Sequence, residues 1–209
     1  MNRGAVIIGI DKYAQGGLLQ LKAAVSGAKE VASWAQSNGI EVKLLTDENG
    51  PVTFTDVRKS LFEFVERGGV RALHQLIVYF AGHGINKGWN SEYWLLSEAP
   101  KVTSEAVNLS GTVDIARGCS GIRHVVFVSD ACRTAADSIN ALAVEGGEPF
   151  PNLDRDVPPA EIDRFYAAAA GHPSQEVKTP RTPSQTTELS TPRVWSTVWP
   201  AETERSFKR

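Results

Sequence analysis

Two short apolar runs, each breaking abruptly into small and polar residues, constrain what this chain can fold into. Leu76-Ile77-Val78-Tyr79-Phe80 leads into Ala81-Gly82-His83-Gly84, and Val125-Val126-Phe127-Val128-Ser129 leads into Asp130-Ala131-Cys132-Arg133. Unbroken apolar segments rich in β-branched and aromatic residues are the pattern of strands covered on both faces, as in a parallel sheet between layers of helices. In an open sheet of that kind, residues just past the carboxyl ends of the strands gather along one edge, where ligands bind. The expected architecture is therefore α/β with a mainly parallel central sheet, and such a sheet can bring His83 and Cys132 together.

A histidine and a cysteine at neighbouring strand ends suggest a thiol nucleophile with an imidazole partner. The imidazole can keep the sulfur as thiolate and later protonate a leaving amine. Gly84 has no side chain over its own amide, so that N–H could meet an oxyanion together with the N–H of Cys132. The chemistry this suits is acyl transfer. The structural alternatives are a histidine packed behind its strand and a cysteine acting as a small buried hydrophobe. Glycines on both sides of His83, and the polar Asp130 and Arg133 around Cys132, favour the reactive reading. Cys119, His74, His124 and His172 show no metal-ligand spacing, so neither a metal centre nor a cofactor is expected.

The rest of the chain alternates strand and helix. Residues 4–10 read as a buried strand and 11–19 as a loop, in which Asp11 either faces the substrate cleft or caps local amides. Leu21, Ala24, Val25, Ala28, Val31, Ala32 and Ala35 recur at three and four, predicting a helix over 21–34 that Asn38-Gly39 closes. A strand over 40–45 and a turn over 46–51 follow, then a helix opened by a Thr53/Asp56 capping box and ended by Gly68-Gly69. Residues 85–91 read as surface loop, Tyr93-Trp94-Leu95-Leu96 as a short strand, and 113–117 as a helix capped by Ser110 or Thr112. Small, acidic and proline residues make 134–164 a mobile loop or linker. From 178 onward the threonine, serine, proline and charge of a disordered tail take over, with Trp195 and Trp199 available for docking.

At 209 residues the chain suits one domain with a sizeable core. A formal charge of −2 leaves no basic footprint for nucleic acid. No run of about eighteen apolar residues suggests a membrane span, and the start lacks the pattern of a signal peptide. A cytoplasmic protein is expected, with Cys119 and Cys132 as thiols.

The two strand-end motifs, Tyr79-Phe80-Ala81-Gly82-His83-Gly84 and Ser129-Asp130-Ala131-Cys132-Arg133, resemble those of the caspase-like cysteine peptidases, particularly the prokaryotic caspase-like and metacaspase branch. Ala5-Val6-Ile7-Ile8-Gly9-Ile10-Asp11-Lys12-Tyr13 is similar to the family's first strand. The resemblance covers roughly residues 4–176 and implies the caspase-like fold, with a large part to about 133, the linker, and a smaller part opened by a strand at 165–170 within 165–177. It implies a cysteine endopeptidase with His83 and Cys132 as the dyad and the amides of Gly84 and Cys132 as the oxyanion site. Asp130 stands where related peptidases place a pocket carboxylate, so cleavage after Arg or Lys is implied, with Asp11 as a second substrate-facing acid. Gly27 falls where metacaspases carry another pocket aspartate. The aspartate-rich calcium site is missing, because Glu92 and Glu98 are the acids of the segment that would carry it. Calcium dependence is not expected. The implied partners are a protein or peptide substrate and an activating protein, as in regulated effectors of stress or defence. Arginines 133, 155 and 164 mark possible self-cleavage sites. The alternative from another class is a catalytically silent caspase-like module used for binding.

Overall fold

A computed structural model describes residues 2–14, 18–67, 72–88, 91–119, 121–132, 134–136, 138–151 and 158–168. Its main sheet has the order β2-β1-β3-β7-β9. The strands are β1 (Arg3–Gly9), β2 (Glu41–Thr46), β3 (Gln75–Gly82), β7 (His124–Ala131) and β9 (Glu161–Tyr166). Every neighbouring pair is parallel. The helices α1 (Ala24–Ser37), α2 (Phe54–Val65) and α3 (Leu109–Cys119) connect them, with the short α4 (Ile139–Leu142) after β7.

The alternation of side chains along a strand explains why these segments read as unbroken apolar runs. Ala5 and Ile7 of β1, Tyr79 of β3, and Val126 and Val128 of β7 pack with Ala28, Val31 and Ala35 of α1. The intervening Val6, Ile8, Val78, Phe80 and Phe127 face the other way, among Leu61 and Phe64 of α2 and Val113 of α3. Each face has its own core, so no polar alternation survives in the central strands.

Small residues let α1 approach closely. A Cβ on Gly9 would lie 2.6 Å from Cβ of Ala28 and 2.8 Å from the carbonyl oxygen of Ala24. The start of α1 is fastened by Asp11, whose Oδ1 accepts the amides of Ala24 (2.9 Å) and Val25 (3.3 Å). The expected capping box opens α2: the Asp56 amide donates to the Thr53 hydroxyl, and the Thr53 amide to the Asp56 carboxylate.

A second sheet, in the order β6-β5-β4-β8, continues from the first. It is made of β4 (Gly84–Asn86), β5 (Glu92–Leu95), β6 (Ala106–Asn108) and β8 (Thr134–Ala135). Residues 85 and 86, within the 85–91 stretch read as surface loop, belong to β4 because β5 supplies an antiparallel partner that local sequence does not announce. At the head of α3, Asn108 rather than Ser110 or Thr112 is the cap, its Oδ1 accepting the Gly111 amide at 3.2 Å. The Thr112 hydroxyl turns back instead and donates to the Asn108 carbonyl.

Composition misleads most over 134–164. Beyond β8 and α4, the amides of Glu145 and Gly146 donate to the Thr103 carbonyl, and Gly147 exchanges hydrogen bonds with Ala106 and Asn108. Val144 and Phe150 are buried. Among the described residues of the stretch, 134–135 and 145–147 are thus built into or against the small sheet, because small residues suit close backbone approach as well as they suit a loop. The following strand is Glu161–Tyr166, beginning ahead of the expected 165–170. At the edge of the described sheet it has no fully buried residue and does not read as an apolar run. Arg164 lies within it. The tail from 178, Arg133, Arg155, His172, Trp195, Trp199 and the Cys119 side chain lie outside the described residues.

Gly9→Ala drives a methyl into α1 and is expected to lower the unfolding free energy by about 1–3 kcal/mol. Gly118→Ala, in α3 with open space around it, is expected to raise stability by about 0.5 kcal/mol. Urea unfolding of the two variants beside the unaltered protein checks both signs.

Candidate active site

The ladder between β3 and β7 pairs Phe80 with Ser129, Ala81 with Asp130 and Gly82 with Ala131. Past the strand ends the same offset resumes in the small sheet, where Ile85 pairs with Thr134 and Asn86 with Ala135. His83 and Cys132 are opposite one another in the gap between these ladders. They stand where the paired chains leave one sheet and enter the next. The approach is close, since a Cβ on Gly84 would lie 2.5 Å from the Cys132 carbonyl oxygen. Cys132 is partly accessible and is not in a disulfide.

His83 is held on several sides. Its amide donates to the Tyr13 hydroxyl at 2.7 Å, and its carbonyl accepts the Leu95 amide at 2.9 Å. Its Nε2 lies 2.8 Å from the Leu19 carbonyl oxygen. A carbonyl only accepts, so this contact puts a hydrogen on Nε2, and in the neutral ring Nδ1 is then the acceptor nitrogen. The ring packs against that of Tyr13 with centroids 4.7 Å apart. Burial pushes the Tyr13 phenol far above its usual range, with the charges of Asp47, Asp11 and Cys132 adding to the effect, so it stays neutral.

Asp47 supports this loop from β2. It is 4% exposed. Its Oδ2 accepts the amides of Asp11 (3.0 Å) and Lys12 (2.5 Å). Asp11, expected also as a substrate-facing acid, has Oδ1 committed to the start of α1 as described above.

Asp130 lies one residue short of the cysteine-bearing turn, on the α1 side of the sheet. The Tyr79 hydroxyl donates to its Oδ2 at 2.9 Å. Burial pushes the Asp130 carboxyl above the usual carboxylate range, and the bond from Tyr79 only partly opposes this. Burial, followed by the Asp130 charge, likewise raises the Tyr79 phenol. Gly27 of α1 faces the pair, a Cβ there lying 3.8 Å from the Tyr79 hydroxyl. The missing side chain leaves this side of α1 open beside the two oxygens.

On the other face Ser129 donates to Glu92 Oε1 at 2.7 Å and accepts from Trp94 Nε1 at 2.9 Å. Trp94 stacks on Phe80 with centroids 5.0 Å apart. This buried network ties β5 to the strand that carries Cys132. Among the described residues, no group of three or more His, Cys, Asp or Glu is arranged to hold a metal ion.

Tyr13, Tyr79 and the Leu19 carbonyl were not singled out from the sequence. Leu19 acts through its main chain and leaves no side-chain signal. Tyr79 did leave one, since a phenol inside an otherwise apolar run needs a buried partner.

Comparison with known families fits this geometry. The sequence profile of the caspase domain matches residues 2–191, and the chain belongs to this family of cysteine peptidases. The five-stranded parallel sheet with flanking helices is the caspase-like fold. A crystal structure of a Geobacter sulfurreducens protein, a structural-genomics target, is similar at 19% identity and a TM-score of 0.49, covering 64% of this chain. This chain spans 52% of that one. No curated protein matches the sequence. No helix among the described residues is long and apolar enough to cross a membrane.

The raised Asp130 carboxyl has a defined consequence for stability. Its folded-state value lies above its unfolded one, so folding loses stability as pH rises from the usual carboxylate range of about 4 through the folded value, and the loss is complete above it. Asp130→Asn keeps an acceptor for Tyr79 and removes the charge. The variant is expected to melt higher than the unaltered protein at pH 7, with the gain shrinking toward pH 4. Thermal melts across that range check it.

Proposed function

We propose that this protein is a cysteine endopeptidase acting through Cys132 and His83, and that it cleaves after Arg or Lys. The observation that carries this reading is the shared register that sets the two residues side by side, with His83 Nε2 turned to Leu19 and Nδ1 left as base. The Cys132 thiol gives its proton to Nδ1, and the sulfur bonds to the scissile carbonyl carbon. The amides of Gly84 and Cys132 receive the oxyanion. As it collapses the C–N bond breaks and the amine takes the proton from His83. Water then attacks the acyl-enzyme, giving its proton to His83, and the thiol is restored.

Asp130 supports the choice of a cationic side chain. Among the described residues this buried carboxylate meets a phenol and no cation, and an incoming guanidinium or ammonium supplies the charged partner. Asp130 thus forms the floor of the specificity pocket, beneath the space left open by Gly27. The same reading places the enzyme in a reducing, cytoplasmic setting with a protein or peptide substrate. Following the prokaryotic members it resembles, we assign it the role of a regulated effector of stress or defence, switched on by a protein partner.

Fluorogenic peptides ending in Arg, Lys or Asp test the proposal. Cleavage after Arg or Lys is expected, with kcat falling by on the order of a thousandfold or more in Cys132→Ala and in His83→Ala. Asp130→Asn is expected to lower kcat/KM for these substrates by roughly a hundredfold, the effect of leaving a buried cation unpaired. Undiminished turnover in Cys132→Ala overturns the mechanism, and cleavage after Asp alone overturns the pocket assignment.

A further inference from the structure

His83 sits between two glycines whose hydrogens give way to neighbours. A Cβ on Gly82 would lie 2.5 Å from the Tyr13 hydroxyl, and one on Gly84 would lie 2.5 Å from the Cys132 carbonyl oxygen. Gly82 ends β3 and Gly84 begins β4, each held in its ladder, and neither carries a side chain that could pack beside the imidazole. The pose of the imidazole must then be imposed by contacts from elsewhere. Leu95 fixes the His83 carbonyl and Leu19 the ring, each through its main chain. Tyr13 acts through its own hydroxyl and ring, so it is a point where side-chain identity controls that pose.

We infer that Tyr13 is a positioning residue for the dyad, fixing the main chain of His83 through its hydroxyl and the imidazole through its ring. The tyrosine is itself fixed. Its ring is buried, and Asp47 clamps the two amides just ahead of it. Its amide also donates to the Gln20 side-chain oxygen at 3.1 Å, while the Gln20 amide group returns a bond to its carbonyl at 3.0 Å. A phenylalanine would keep the ring contact and the packing. It would leave the His83 amide without its acceptor, and the main chain that carries the imidazole would be less firmly held. The loss falls on the bond between dyad partners and not on substrate binding, because Asp130 and Tyr79 hold the other side of the sheet.

The inference rests on the Cys132–His83 reading, and the experiment separates the two. Alkylation of Cys132 by iodoacetamide is followed against pH in the unaltered protein, His83→Ala and Tyr13→Phe, with Cys132→Ala as blank. The dyad predicts a thiol titrating well below the ordinary value of about 8.5, and an ordinary one in His83→Ala. Tyr13→Phe is expected to move the titration upward by about one unit, and to lower kcat on the order of tenfold with KM held within about twofold. An ordinary titration in the unaltered protein, unchanged in His83→Ala, overturns the dyad and this inference with it. A lowered titration that depends on His83 but is identical in Tyr13→Phe overturns this inference alone. Should Tyr13→Phe not fold, hydrogen exchange in the unaltered protein decides: a protected His83 amide is expected, and one exchanging like an open loop overturns the inference.

Discussion

The hydrogen-bond ladder between β3 and β7 carries the rest of the arrangement. Eight residues of each strand are paired, and the offset survives the crossing into β4 and β8. A slip of one residue would turn the apolar side chains of each strand to the opposite face and destroy both cores at once. The register is therefore guarded by the packing of Tyr79, Val126 and Val128 against α1 and of Phe80 and Phe127 against the other helices. His83 and Cys132 inherit their alignment from a constraint that is hydrophobic in origin. Neither His83 nor Cys132 needs to contribute stability to be placed.

Around that fixed line the polar groups divide into two kinds. Asp11, Asp47 and Glu92 accept from amides, a hydroxyl or an indole, and each fastens one element to another. Asp130 differs, because burial disfavours its charge and, among the described residues, the group bonded to it is the neutral Tyr79 phenol. A carboxylate in that setting weakens the folded state and gains a use only when something positive arrives. Sites that trade stability for function have this electrostatic signature.

Much of this was legible in the sequence, for a physical reason. The central strands are buried on both faces, so they read as apolar runs whose ends mark the sheet edge, and His83, Cys132 and Asp130 stand at those ends. The Thr53/Asp56 box was legible because a capping box is a local interaction. What escaped depends on partners distant in the chain. Residues 84–86 become a strand only because 92–95 arrive beside them, and Gly146-Gly147 looks like loop until the small sheet is present to receive it. The sequence leaves Asp11 two roles, and the amides of Ala24 and Val25 show which one its Oδ1 performs. Tyr13 sits in a loop whose pattern carries no periodicity, so its contact with His83 could not be read from spacing.

The strand order has a consequence in time. Parallel neighbours must be joined by long crossovers, and here β3 pairs with a strand that the chain reaches only after β4, β5, β6 and α3. Contacts of such separation form late and slowly. On a ribosome, a chain made through His83 has neither Leu95 to bind the His83 carbonyl nor a thiol opposite the ring, and β7 must emerge and dock before the two residues meet. Assembly order thus acts as a delay: His83 is made well before Cys132, and the two face each other only once β7 has paired with β3.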